Sequence, residues 1–295
     1  MEEGVMTALV TPFKNGSIDY GSYERLIEWQ IASGVKGLLF LGTTGEAPSI
    51  SIEEREEIIR FAVEKVRKRV PVVVGTGTNS TEKTIHMTKQ AGELGADCAL
   101  VVTPYYNKPV QEGLYQHYAA IAKSTSIPII IYNVPSRTGV NILPETVVRL
   151  ARDFENIIGI KEASGNMAQI DMLILKLKDV REDFHVWSGN DDQAFHVMCS
   201  GGSGVVSVLS NVAPRETQQM CEKIANGDLS RARELHLKLF PLMKALFVET
   251  NPIPVKYAVS KLGYCENELR LPLVKASEST MKAVDEALNK AGILP

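Results

Sequence analysis

Lys161 ends the apolar run Ile157-Ile158-Gly159-Ile160, which reads as a buried strand. The chain therefore carries an ammonium group to the point where a strand leaves its core. A lysine in water has a pKa near 10.4, so only about one in 2,500 is a free amine at pH 7. Desolvation disfavours the charged form and supplies that amine. A free amine condenses with a ketone to a Schiff base, whose iminium accepts electrons while a neighbouring C–C bond forms or breaks. Tyr132 closes another apolar run, and its phenol suits a proton shuttle. Thr43 and Thr44 follow a third run, and their hydroxyls can relay the proton. These residue types point to a Schiff-base aldolase or lyase. The competing reading is a structural ion pair between Lys161 and Glu162. It is weakened because adjacent strand residues point to opposite faces.

Other groups yield less. Asp191-Asp192 could hold a hard cation, but they stand where a helix begins, and N-capping with dipole complementation is the simpler reading. G-T-G-T-N-S (Gly75 to Ser80) lacks the lysine and the spacing of a phosphate loop. S-G-G-S-G (Ser200 to Gly204) precedes a strand, which places it on the rim away from chemistry. Cys98, Cys199, Cys221 and Cys265 are scattered, and the five histidines are unpaired, so no metal site is expected. A net charge of −3 leaves no footprint for nucleic acid or a membrane surface. No apolar run approaches the roughly 20 residues that span a bilayer. The acidic start M-E-E-G-V-M enters the first strand at once, so no signal peptide and a cytoplasmic location are expected.

Strand ends matter only if a fold gathers them. Eight apolar, β-branched runs alternate with amphipathic segments: V-M-T-A-L-V, G-L-L-F-L-G, V-P-V-V-V-G, C-A-L-V-V-T, I-P-I-I-I-Y, I-I-G-I-K, F-H-V-W-S and G-V-V-S-V-L. Their lack of polar alternation implies cover on both faces, as in a parallel sheet. Ser51 to Arg69 predicts a helix with Ile58, Ile59, Ala62, Val63 and Val66 on one stripe, glutamates first and cations last. Ser80, Pro144 and Pro214 mark other helix starts. Eight strand–helix units over about 225 residues fit an α/β chain folded as a (β/α)₈ barrel, whose chemistry sits at the C-terminal strand ends. A doubly wound open sheet is the alternative, disfavoured because no G-x-G-x-x-G opens the first helix. Residues 1–226 are read as the barrel carrying the active site, and 227–295 as a C-terminal helical region.

Four motifs in register carry a family likeness: G-T-T-G-E (Gly42 to Glu46), V-T-P-Y-Y-N-K-P (Val102 to Pro109), Y-N-V-P-S-R-T-G (Tyr132 to Gly139) and G-I-K-E-A-S-G (Gly159 to Gly165). Together with N-P-I-P-V-K (Asn251 to Lys256), the chain closely resembles the 4-hydroxy-tetrahydrodipicolinate synthases, of the pyruvate-dependent aldolase and N-acetylneuraminate lyase superfamily. The resemblance implies that Lys161 forms a Schiff base with pyruvate, that Tyr132 moves the proton, and that Thr43 is its hydroxyl partner. It implies that Thr44 binds the pyruvate carboxylate, with Val206 and Gly189 lining the same pocket. Tyr106 would complete the relay from a neighbouring subunit, within a homotetramer built as a dimer of dimers. Arg137 would hold the carboxylate of L-aspartate 4-semialdehyde through its planar fork. No metal or organic cofactor is implied.

The rivals are sugar-acid lyases that share the lysine, the tyrosine and the threonine loop, and a catalytically silent barrel. Arg137 speaks against the former, and intact Lys161, Tyr132 and Thr43 speak against the latter. One departure concerns regulation. Members inhibited by lysine hold it with a glutamate and histidines. Here Lys83 takes the glutamate's place, and Ile52 and Arg55 take the histidines', although Asn79 and Tyr105 remain. A cationic effector would be repelled, so weak or no inhibition by L-lysine is expected.

Overall fold

The computed structural model describes residues 2–294. β1 (Gly4–Ala8) leads into a hairpin of two-residue strands, β2 (Phe13–Lys14) and β3 (Ser17–Ile18). There follow α1 (Tyr20–Ala32), β4 (Gly37–Phe40), α2 (Ile52–Val66), β5 (Val72–Gly75), α3 (Thr81–Glu93), β6 (Cys98–Val102) and α4 (Gln111–Ser124). The chain continues through β7 (Ile129–Asn133), the one-turn α5 (Pro135–Thr138), α6 (Pro144–Asp153), β8 (Ile157–Glu162), α7 (Met167–Lys178) and β9 (His185–Ser188). Next come α8 (Asp191–Cys199), β10 (Gly204–Ser207) and α9 (Pro214–Ala225), then α10 (Leu229–Ala245), α11 (Ile253–Lys261) and α12 (Glu278–Ala291).

The eight longer strands are the eight apolar runs, and all pair in parallel. Their order is β1-β10-β9-β8-β7-β6-β5-β4, and β1 pairs with β4 to close a barrel. The (β/α)₈ architecture is thus the observed one. Closure explains the unbroken apolar character of the strands, since each meets helices outside and other strands' side chains inside. Met6, Leu39, Val73, Leu100, Ile130 and Trp187 fill the interior. The hairpin was not visible in the sequence because two residues show no periodicity.

Helix ends follow local chemistry. Ser51 caps α2 and accepts from the Glu54 amide, while the Glu54 side chain accepts from the Ser51 amide, closing a capping box. The helix stops at Val66, three residues before the expected Arg69, because Arg67 and Lys68 take left-handed conformations. Its buried stripe includes Arg55 as well as Ile58, Ile59, Ala62 and Val66, and Val63 is half-buried. Ser80 caps α3, and Pro144 and Pro214 open α6 and α9.

The last three helices share the barrel's own core. Leu239 and Leu242 of α10 and Val284 and Leu288 of α12 belong to one buried cluster with Val5 and Leu38. Burying a leucine or valine side chain contributes roughly 1.5–3 kcal/mol, so this packing is strong. None of the described helices is long and apolar enough to cross a membrane.

Between α3 and α4, Thr81 Oγ1 and His117 Nδ1 lie 2.9 Å apart, and His117 Nε2 is buried without a partner. Burial pulls the imidazole down from 6.5 to about 4. Below pH 6.5 the unfolded chain takes up a proton here that the folded protein refuses until about pH 4. Stability from this group is therefore complete above pH 6.5 and lost as pH falls towards 4, by on the order of 2–3 kcal/mol. His117→Asn should flatten that part of the profile in urea unfolding measured between pH 7 and pH 4. An unchanged slope would show that other groups dominate it.

Candidate active site

β7 and β8 lie side by side with Tyr132 opposite Lys161 and Asn133 opposite Glu162. Paired residues share a face of the sheet, so two faces are set at once. The register slips between Ile129 and Ile130, and this bulge gives β8 one extra residue. Without it, Ile160 would stand opposite Tyr132. Lys161 is only 5% exposed, and its Nζ lies 4.3 Å from the centre of the Tyr132 ring. On β9 it pairs with the buried Trp187. A Cβ on Gly189 would stand 3.2 Å from both Cγ and Cε of Lys161 and 2.6 Å from Ala163 Cβ. The missing side chain there makes room for the lysine stem.

Glu162 faces the other way. Its carboxylate accepts from Asn133 Nδ2, from the Ser164 amide at 2.7 Å and from Gln169 Nε2, and Asn141 links Asn133 to Gln169. Burial raises its pKa although these donors oppose the rise. The Lys161-Glu162 ion pair considered above does not form; Glu162 ties the ends of β7 and β8 together instead. Asp191 plays a comparable part. The helix cap is Asn190, and Asp191 stands in the first turn, where its oxygens accept from Ser207 Oγ and the amides of Val208 and Leu209. It pins the end of β10, and burial raises its pKa. Asp192 pairs with Lys244 at 3.1 Å. Neither aspartate belongs to a metal-ligand group among the described residues.

The threonine loop after β4 is held from the far end of the chain. Leu41 and Glu46 take left-handed φ values of 56° and 55°. Within the turn, the Glu46 amide donates to the Thr43 carbonyl. Thr11 Oγ1 donates to the Gly45 carbonyl, and Asn251 Nδ2 donates to Thr44 Oγ1 at 3.0 Å. Beneath lies a fully buried ion pair, Lys256 Nζ with Glu46 Oε1 at 2.8 Å. Lys256 also donates to the carbonyls of Thr11 and Glu268, and the Arg270 amide donates to Glu46 Oε2. Burial lowers the Lys256 pKa, and the charge of Glu46 opposes it.

A cavity of about 480 Å³ opens over these strand ends, within the usual range for a small-molecule site. Thr43, Tyr105, Tyr132, Arg137 and Arg55 all line it. Arg137, on α5, donates to the Asn251 carbonyl and is otherwise exposed. Thr44 is buried beside Thr43, and Val206 is buried in the interior cluster with Tyr132. Tyr106 is not brought to the cavity of its own chain: its ring is 88% exposed, on a backbone held at φ 74°. Of the residues expected at an effector site, Arg55 and Tyr105 line this cavity, whereas Ile52, 65% exposed, Asn79 and Lys83 do not. The glycines of G-T-G-T-N-S serve packing. A Cβ on Gly75 would meet the Leu41 carbonyl at 2.1 Å and one on Gly77 the Val102 amide at 2.3 Å. The sequence reading missed Asn251 as a partner of Thr44, and the Glu46–Lys256 pair, although both lie in motifs it singled out.

Fold and mouth together define a (β/α)₈-barrel enzyme with its pocket at the carboxyl ends of the strands. A family model described as the dihydrodipicolinate synthetase family matches residues 1–291. The chain belongs to that family and is a lyase. It is 60% identical over 294 residues to the 4-hydroxy-tetrahydrodipicolinate synthase of Kosmotoga olearia, covering 100% of both chains. Among solved structures it is similar to the dihydrodipicolinate synthase of Thermotoga maritima, with a TM-score of 0.98, 56% identity and 100% of each chain covered. It is also similar to the enzyme of Cyanidioschyzon merolae solved with lysine bound, with a TM-score of 0.95, 38% identity and 99% of each chain covered.

Removing one partner of a buried pair strands the other charge, at a cost of about 3–5 kcal/mol. Lys256→Met should therefore destabilise the protein by that order in denaturant unfolding. Adding Glu46→Gln to it should recover at least about 1 kcal/mol. Additive losses would mean that the two side chains do not interact.

Proposed function

We propose that the protein condenses pyruvate with L-aspartate 4-semialdehyde to give 4-hydroxy-tetrahydrodipicolinate through a Schiff base on Lys161. The observation that carries this reading is the register placing Lys161 against Tyr132, with the amine 4.3 Å from the phenol ring beside a cavity that admits both substrates. The names of the full-length relatives support the choice of substrates.

The Lys161 amine adds to the pyruvate ketone, and the carbinolamine expels water to leave an iminium. Tyr132 supplies the proton that leaves with that water, and Thr43, on the same cavity, passes it on. Loss of a methyl proton gives the enamine, whose carbon attacks the aldehyde and forms the new C–C bond. The alkoxide takes up a proton. The adduct's own amine then attacks the iminium carbon, closes the six-membered ring and expels the Lys161 amine. One water is released per turnover, and no step calls for a metal or an organic cofactor. Thr44 holds the pyruvate carboxylate, with the Val206 backbone and the space at Gly189 shaping that end. Arg137 holds the carboxylate of the aldehyde, a bidentate task for which lysine is no substitute.

Tyr106 reaches a neighbouring subunit's site and completes its proton relay, which ties activity to a dimer within a homotetramer. Its exposed ring and positive φ support this assignment, since such strain persists where the surroundings demand it. Residues 1–226 form the catalytic barrel and 227–295 a helical region that supports its mouth. The enzyme works in the cytoplasm, in lysine and diaminopimelate synthesis, and L-lysine inhibits it weakly or not at all.

Borohydride reduction in the presence of pyruvate should leave a reduced pyruvyl adduct on the Lys161 peptide by mass spectrometry. Tyr132→Phe should keep the fold and lower kcat/KM by about 10²–10⁴-fold. An adduct on another lysine, or none on folded protein, would remove the Schiff-base assignment. In steady-state assays, L-lysine up to the millimolar range should leave the rate nearly unchanged. Half-inhibition below a millimolar would overturn the claim about the effector cleft.

A further inference from the structure

The hydroxyl of Thr44 has its polarity set from the C-terminal region. Asn251, two residues ahead of α11, is buried and lines the cavity. It meets both side chains to which substrate carboxylates are proposed to bind. Its Nδ2 donates to Thr44 Oγ1 at 3.0 Å, and its backbone carbonyl accepts from Arg137 Nη2 at 3.2 Å. The two bonds differ in kind. The first belongs to the side chain and is removed by substitution, whereas the second belongs to the main chain and survives it.

A hydroxyl has one hydrogen to donate and two lone pairs with which to accept. Thr44 is buried, and the Asn251 amide occupies one of its lone pairs. Among the described residues Thr44 Oγ1 has no second hydrogen-bond partner, so its hydrogen stays uncommitted. A carboxylate only accepts hydrogen bonds, and a hydroxyl that holds one must keep its hydrogen for that purpose. A neighbour that accepted from Thr44 would consume the hydrogen and turn a lone pair towards the ligand. Asn251 does the reverse. Its own acceptor, Oδ1, is buried without a partner, and the donor end is the one turned to Thr44. An ionised aspartate of the same shape would offer Thr44 nothing but acceptors.

We propose that Asn251 is a positioning residue for the keto-acid half of the reaction: its amide commits the Thr44 hydroxyl as a donor, so that the site selects a charged 2-oxo acid over its neutral counterparts. The inference rests on the Schiff-base reading of Lys161 and on Thr44 as the holder of the carboxylate. Asn251 touches no reacting atom and acts through Thr44.

Reductive trapping with cyanoborohydride isolates this half, because it needs no aldehyde. Pyruvate and pyruvamide share one shape and differ in charge. In Asn251→Leu the pyruvate concentration for half-maximal trapping should rise by about tenfold or more, as for loss of a hydrogen bond to a charged group, and that for pyruvamide should change by less than about twofold. Asn251→Asp should weaken pyruvate further. Thr44→Val should match Asn251→Leu, and the two substitutions combined should be no worse than either alone, because both remove one interaction. The KM for the aldehyde should stay nearly unchanged in Asn251→Leu, since Arg137 keeps its backbone acceptor. Circular dichroism checks that each variant is folded. Neutron diffraction from a deuterated wild-type crystal provides a test free of mutation: the Asn251 deuterons should face Thr44 Oγ1, and the Thr44 deuteron should point away from Asn251. Equal losses for pyruvate and pyruvamide, additive losses in the double variant, or a Thr44 deuteron directed at Asn251 would each overturn the proposal and leave the Schiff base on Lys161 standing. No trapping of pyruvate on Lys161 of the wild-type protein would remove the Schiff-base reading, and this proposal with it.

Discussion

The ammonium of Lys256 and the carboxylate of Glu46 are both removed from water, 2.8 Å apart, and neither could remain charged there alone. The contact joins α11 to the turn that presents Thr43 and Thr44. Around it gather the Asn251 amide on Thr44, the Thr11 hydroxyl on Gly45 and the Arg270 amide on Glu46. A turn with two non-glycine residues at positive φ would not hold its shape unaided. The C-terminal helices thus do more than cover barrel surface, because they fix the geometry of one wall of the mouth.

The opposite wall is fixed by sheet register. An extra residue in β8 brings Lys161 level with Tyr132, and two buried carboxylates hold the strand ends at that setting. Glu162 ties β8 to β7 through Asn133, and Asp191 ties α8 to the end of β10. Both carboxylates use their oxygens on backbone amides or uncharged side chains, so neither forms an ion pair with Lys161. Buried polar groups that are fully satisfied in this way rigidify their surroundings. The amine, the phenol and the threonine hydroxyls are consequently presented by parts of the structure that have little freedom to drift.

Much of this could be read from residue order. Apolar runs without alternation identified all eight barrel strands, since burial on both faces leaves that mark on each strand separately. Lys161, Tyr132, Thr43 and Thr44 stood out because each ends or follows such a run. What stayed hidden depends on partners distant in sequence. Lys256 lies 210 positions after Glu46, and nothing in either neighbourhood declares the pairing. Asp191 looked like a helix cap because its local context is that of a cap, while its hydrogen bonds go to β10. The β8 bulge was equally hidden, because a register slip is a property of two strands and not of one. Arg55 was read only as standing in a histidine's place, although its burial on α2 follows from the same 3.6-residue period as that of Ile58 and Ile59.

The place of Lys256 in the chain has a consequence for synthesis. A ribosome releases the chain from its N-terminus, so all eight barrel strands can emerge while α11 is still being made. During that interval Glu46 has no cation to meet, and the threonine turn lacks its anchor. Domains generally fold as units as they emerge, but here the nascent barrel must keep a half-formed mouth until nearly nine-tenths of the chain has been translated. A messenger cut short before that point would yield a chain that lacks both the anchor of the threonine turn and the part of the core that α11 and α12 supply.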